Sequence, residues 1–251
     1  MPAARTALVT GAAKRIGRAI ALALAGDGYA LALHHNASGP EAGALAAEIR
    51  ARGGRAVTVA ADLADARQAD RLVAAAAEAA GPLTVLVNNA SLFERDTLAD
   101  LTPGSWERNL AVNLRAPVFL TQAFARQLPP GVQGNVVNLI DQKVLNLTPY
   151  YLSYTAAKMG LWAMTQTLAQ ELAPAVRVNG IGPGPTLPNP TQTEAEFRAY
   201  AARMPLGHGP TPDEIARVVL FILDTPSLTG HMIPVDGGEH LGFAHPKRRE
   251  S

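Results

Sequence analysis

The chain contains no cysteine. This excludes a disulfide framework, a thiolate nucleophile and a cysteine-ligated zinc site. Neither sign of charge is in excess: 22 Lys plus Arg stand against 21 Asp plus Glu, a formal net charge of +1. A protein of nucleic acid or of the membrane surface would carry a strong basic excess. Hydrophobic residues reach 48%, but they are scattered and often alanine, and no run approaches the roughly 20 apolar residues of a membrane span. The opening MPAARTALVTGAAKR runs straight into a strand, with no cleavable apolar segment. The expectation is a soluble, cytoplasmic protein without a membrane or nucleic-acid partner. Lysine is scarce too. Only Lys14, Lys143, Lys158 and Lys247 occur, so each raises the question of why arginine was not used.

What is present is rhythm. At 251 residues the chain is one large domain or two small ones, long enough to bury most of its apolar surface. Short apolar runs are predicted as strands at 6–10 (TALVT), 30–34 (ALALH), 55–60, 85–88, 135–140 (NVVNLI), 177–181 (RVNGI) and 233–235. Helical stretches fall between them at 15–26, 40–52, 65–80, 103–128 (bent), 151–172, 194–203 and 211–224. Seven strands separated by helices predict an α/β fold, a doubly wound seven-stranded parallel sheet with helices on both faces. We expect a single domain over 1–245, with a substrate lid at about 186–204, and a polar tail at 246–251.

The first strand ends in TGAAKRIG at 10–17, where a helix opens. A helix N-terminus at the carboxyl end of a strand offers free N–H groups to a pyrophosphate. Gly11 permits the tight turn and Gly17 close packing. The middle glycine of the common G-x-G-x-x-G is replaced by Arg15. The second strand ends His34-His35-Asn36-Ala37-Ser38, with no carboxylate before Glu41. A carboxylate about 20 residues past the loop would hold the 2′-hydroxyl of NAD. Its absence predicts NADPH, with Lys14, Arg15, His34 and Ser38 as candidates for the 2′-phosphate. The two histidines also read as polar strand ends. They are not a metal site, for no third ligand stands at a plausible spacing.

Tyr154 and Lys158 are four residues apart on the long helix and share one face. An adjacent ammonium favours phenolate and is expected to lower the tyrosine pKa. Such a tyrosine serves as a general acid.

The segments TGAAKRIG at 10–17, Asp62-Leu63, Asn88-Asn89-Ala90, Asn113, Tyr154 with Lys158, Pro183-Gly184 and VDGG at 235–238 together resemble the short-chain dehydrogenase/reductase family over nearly the full length. The resemblance implies a Rossmann fold, a nicotinamide cofactor and a homotetramer that pairs through the 228–238 stretch. It places the cofactor on Gly11, Lys14, Arg15, Ile16, Gly17, His34, His35, Ser38, Asp62, Leu63, Asn89, Ala90, Ser91, Tyr154, Lys158, Pro183 and Gly184. It also implies an Asn113–Lys158–Tyr154 proton relay, with Lys158 holding the nicotinamide ribose.

Two departures are informative. The family's serine, 13 residues before the tyrosine, is Asp141, and its middle glycine is Arg15. Both resemble the pteridine reductases, as does NNAS-x-F ending in Phe93. In those enzymes the arginine and phenylalanine hold the pterin against the nicotinamide. The chemistry agrees. An ionised aspartate only accepts hydrogen bonds, so it suits the N–H groups of a substrate with a C=N bond and not a ketone oxygen gaining charge. Its ordinary pKa of about 3.9 leaves it ionised unless burial raises it. Arg15 and Phe93 offer stacking faces for a flat ring. Arg15 also reads as a phosphate ligand, Phe93 as a loop anchor and Asp141 as the mark of an inactive site. The expected substrate is an oxidised pterin or folate, held by Arg15, Ser91, Phe93, Asp141 and Tyr154, with Asp141, Tyr154, Lys158 and Asn113 catalytic. The alternatives are a carbonyl reductase with Asp141 protonated, for instance on oxoacyl chains, and an NADPH-binding regulatory protein without turnover.

Overall fold

The computed structural model describes residues 5–189 and 192–242. The tail expected at 246–251 lies outside them, as do two positions of the expected lid. Seven parallel strands form one sheet in the order β3-β2-β1-β4-β5-β6-β7. They are β1 (Thr6–Val9), β2 (Ala30–His35), β3 (Ala56–Ala60), β4 (Val85–Asn88), β5 (Gly134–Leu139), β6 (Val176–Pro183) and β7 (Met232–Val235). Chain order reverses between β1 and β4, which pair in parallel with Leu8 opposite Leu86. At such a switch point the loops leave the carboxyl ends of two neighbouring strands in opposite directions and open a crevice.

Among the described residues there are eight α-helices. They are α1 (Arg15–Gly26), α2 (Gly39–Ala51), α3 (Ala66–Ala80), α4 (Pro103–Leu110), α5 (Ala116–Gln127), α6 (Leu152–Leu172), α7 (Glu194–Ala201) and α8 (Pro212–Asp224). Of these, α1 and α8 pack on one face of the sheet and α3 and α5 on the other. Side chains alternate across each strand. Val9 of β1 packs with Ile20, Leu24, Ile215 and Val219 of α1 and α8. Its neighbour Leu8 packs on the other face with Leu72, Leu120 and Phe124 of α3 and α5. Each such fully buried aliphatic side chain contributes about 1.5–3 kcal/mol. Because both faces are covered, the central strands β1 and β4 are buried at every residue.

The helix expected at 103–128 is interrupted and falls into two α-helices. Between α4 and α5 the residues Ala111–Arg115 form one π-helical turn, and the turn contains Asn113. Single π turns inside α-helices are common at functional sites. The expected lid contains α7, which starts at a capping box: Thr193 Oγ1 accepts from the Glu196 N–H at 3.2 Å, and Glu196 Oε2 accepts from the Thr193 N–H at 2.8 Å.

Candidate active site

One cleft of about 1230 Å3 runs across the carboxyl ends of the strands. Its floor at one end is the loop between β1 and α1. Gly11 has φ +62, and a Cβ on Gly17 would lie 2.2 Å from the Gly11 carbonyl oxygen. No side chain fits there, so α1 packs directly on the loop, and its N-terminus at the cleft is suited to a pyrophosphate. Lys14, Arg15 and Ile16 line the cleft beside it, as do Asp62, Leu63, Asn89, Ala90, Pro183 and Gly184. Asn89 also ties the loop down, donating from Nδ2 to the carbonyls of Thr10 at 2.8 Å and Gly11 at 3.1 Å.

His34 has a different job from the one expected. It is buried, its Nδ1 accepts from the Gly11 N–H at 3.0 Å, and its Nε2 meets the Ala61 carbonyl at 3.0 Å. Burial lowers its pKa to about 4. A neutral ring with both nitrogens engaged fastens the phosphate loop to the end of β3 and has no donor left for a phosphate. His35 and Ser38 stand outside the residues lining the cleft; Asn36, between them, lines it.

The pair expected to be catalytic arises at the junction of β5 and α6. Asp141 follows β5 and Tyr154 sits in the first turn of α6. The Tyr154 hydroxyl donates to Asp141 Oδ2 at 2.8 Å, and Asp141 Oδ1 accepts from the Lys143 N–H at 2.8 Å. Lys158, one turn on, is buried and donates to the Leu139 carbonyl at 2.7 Å. Its ammonium lies 5.5 Å from the Tyr154 ring centroid.

These contacts reverse one expectation. Burial, above all, and then the Asp141 charge and hydrogen bond push the Tyr154 pKa well above its ordinary value; a hydrogen bond from Ser91 pulls weakly the other way. The phenol is held protonated, not lowered by Lys158. Burial also raises the Asp141 pKa, against the lowering effect of the Lys143 N–H, Tyr154 and the two lysines. Lys158 is lowered by burial to about 8, with Asp141 opposing. The sign follows. Below pH 8 Lys158 is an ammonium that supports a phenolate when Tyr154 gives up its proton; above it that support is lost. The ratio kcat/KM for the cofactor reports ionisations of the free enzyme. It is expected to fall as pH rises through about 8, and a flat profile from pH 7 to 9 would contradict this assignment.

Asn113 does not touch Lys158 through its side chain. Its Oδ1 accepts from Ser91 Oγ at 2.8 Å and the Leu92 N–H at 3.1 Å, and its Nδ2 donates to the Leu92 carbonyl at 2.9 Å. The side chain fixes the loop that carries Ser91 and Phe93, so the expected relay has no direct side-chain link at this step.

Phe93 faces the cleft, but it does not stand alone. It stacks on Tyr151 at 4.3 Å with an 11° tilt and sets its edge against Tyr154 at 4.8 Å. Tyr151 holds φ +62, a left-handed conformation that costs a non-glycine residue about 1–3 kcal/mol. A bond from its N–H to the Asp96 carbonyl at 2.8 Å retains it. Asp96 is itself buried and accepts from the Ser153 N–H and, through a short bond, from Ser153 Oγ. A carboxylate at the start of α6 also meets the positive end of that helix. Tyr151 and Asp96 were not marked by the sequence. Arg15, at φ +56, forks its guanidinium onto the carbonyls of Pro188 at 2.9 Å and Leu187 at 3.2 Å, in the segment expected as a lid. Tyr200 of α7 donates a short hydrogen bond to Glu239, just past VDGG.

Comparisons with known proteins agree with this geometry. Residues 5–199 match the family described as short chain dehydrogenase. FolM alternative dihydrofolate reductase 1 from Brucella suis, crystallised with NADP, is 44% identical with a TM-score of 0.94, covering 98% of this chain and 99% of that one. Pteridine reductase 1 from Leishmania tarentolae is 34% identical over 96% of this chain and 98% of its own length. A 3-oxoacyl-[acyl-carrier-protein] reductase from Synechocystis sp. is 32% identical over 94% and 96%.

Proposed function

The chain belongs to the short-chain dehydrogenase family, and on that premise we propose that it is an NADPH-dependent reductase of oxidised pterins. The observation that carries this reading is the 2.8 Å hydrogen bond from Tyr154 to Asp141. It puts a carboxylate, and not the family's serine, beside the proton donor. The glycine cradle of Gly11 and Gly17 fits a dinucleotide pyrophosphate, with Lys14 and Asn36 beside it and Lys158 toward the ribose. The cofactor supplies a hydride when bound.

The chain's own groups do the rest. Asp141 accepts from the N–H groups of the pterin and fixes its plane. Phe93, backed by Tyr151, gives that plane a face to lie on. Arg15 bounds the ring's other edge and ties it to the lid. Tyr154, held protonated, delivers its proton to the ring nitrogen of the C=N bond as the neighbouring carbon is reduced. The Lys158 ammonium stabilises the phenolate left behind until it is reprotonated. Support comes from the Brucella and Leishmania relatives, whose names carry folate and pteridine reduction. The test is to supply NADPH with a dihydropterin and look for the tetrahydropterin by mass spectrometry. Its absence would overturn the proposal.

One observation favours a second reading. Enclosure raises the Asp141 pKa, and a protonated Asp141 would donate to a ketone oxygen as serine does. That is the carbonyl reductase alternative, to which the Synechocystis relative corresponds.

We further propose a homotetramer, by the family resemblance. Phe119, Met159 and Phe221 stand exposed on α5, α6 and α8, and burial of such side chains between copies is favourable. A monomer by light scattering at micromolar concentration would contradict it.

A further inference from the structure

Lys14 is not a free cation. Its ammonium pairs with Glu41 Oε1 at 2.7 Å, joining the start of α1 to the first turn of α2. Glu41 is the third residue of α2, where the helix's positive end favours an anion. Its carboxyl is held below the usual range, first by the hydrogen bond from Lys14 and then by its own backbone N–H. The cations nearest in sequence are engaged elsewhere: Arg15 on the lid carbonyls of Leu187 and Pro188, and Arg18 on Glu48 at 2.5 Å. Lys14 is thus the cation beside the loop that a 2′-phosphate would contest, and it carries its own counter-ion.

We propose that Glu41 is a built-in competitor which the 2′-phosphate of NADPH displaces from Lys14, and that this competition limits the discrimination between NADPH and NADH. The inference rests on the NADPH reading. The phosphate gains Lys14 only by releasing Glu41, so the gain is the difference between two ion pairs. The released carboxylate stays on the first turn of α2 and repels the phosphate. NADH, with a hydroxyl there, makes no demand on Lys14. Glu41 therefore weakens NADPH and leaves NADH alone.

The test is fluorescence titration of NADPH and NADH with the parent and Glu41→Gln, which keeps the side-chain length and removes the charge. At low salt the variant is expected to bind NADPH about three- to fivefold more tightly, the scale of a half-exposed ion pair. The gain should shrink as salt is added, and NADH affinity should stay unchanged. A double-mutant cycle with Lys14→Met isolates the shared partner. In that background Glu41→Gln should bring a smaller gain, since only the direct repulsion of the phosphate is then relieved. An unchanged or weaker NADPH affinity in Glu41→Gln, or an equal gain without Lys14, would overturn the proposal. If the parent binds NADPH no better than NADH, the NADPH reading falls and this inference falls with it.

Discussion

Tyr154→Phe is expected to lower kcat by about 10²–10⁴-fold, the usual contribution of a positioned general acid. The ring stays, so its edge contact with Phe93 at 4.8 Å is kept. What disappears is the hydroxyl that donates to Asp141 and, in the reaction, to the substrate nitrogen. Cofactor affinity should be nearly unchanged, because Lys158 keeps its bond to the Leu139 carbonyl. The loss should therefore appear in kcat and kcat/KM alike, as for an interaction made only in the transition state. A variant with near-normal kcat would show that another group supplies the proton.

Asp141→Ser is expected to separate the two substrate classes. The variant restores the hydroxyl donor usual at this position and removes the carboxylate. A hydrogen bond to a charged group is worth about 1.5–3 kcal/mol, and each 1.36 kcal/mol is tenfold in rate. Loss of two such bonds to pterin N–H groups lowers kcat/KM for a dihydropterin by roughly 10²-fold or more. Ketone reduction should be unchanged or improved, because an oxygen gaining negative charge then meets a donor. Taking the ratio of the two values cancels general damage to the fold. If Asp141→Ser reduced pterins as well as the parent, the aspartate would not select the substrate, and the pterin reading would rest on Arg15 and Phe93.

The sheet and its helices were legible because the signals were local. The apolar run of β4 was read at 85–88 and is Val85–Asn88; α1 was read at 15–26 and is Arg15–Gly26. Doubly covered strands such as β4 are largely apolar runs, and helices between strands begin at caps such as Thr211. The break near Asn113 was read only as a bend. Pro117 stands just past the π turn and lacks the N–H that would bond the Asn113 carbonyl.

The site was legible where one residue carries the chemistry and illegible where a partner decides it. Tyr154 and Lys158 were picked out by their spacing and Asp141 by the family resemblance, and the fold brings Tyr154 and Asp141 into a hydrogen bond. That Tyr154 would be held protonated was not, since enclosure and the Asp141 contact depend on the packing of β5 against α6. His34 looked like a phosphate ligand because sequence shows a polar strand end but not that both ring nitrogens are already bonded. Asp96 carried no signal at all. It is one acidic residue in a loop, and its burial against Ser153 exists only once that loop lies over α6.

The most direct test of the account is the parent protein's kcat/KM for a dihydropterin against a 3-oxoacyl thioester, both with saturating NADPH. The account predicts that the dihydropterin is preferred by at least about tenfold, a difference of roughly 1.4 kcal/mol in transition-state stabilisation. An oxoacyl substrate turned over equally well or better would contradict it.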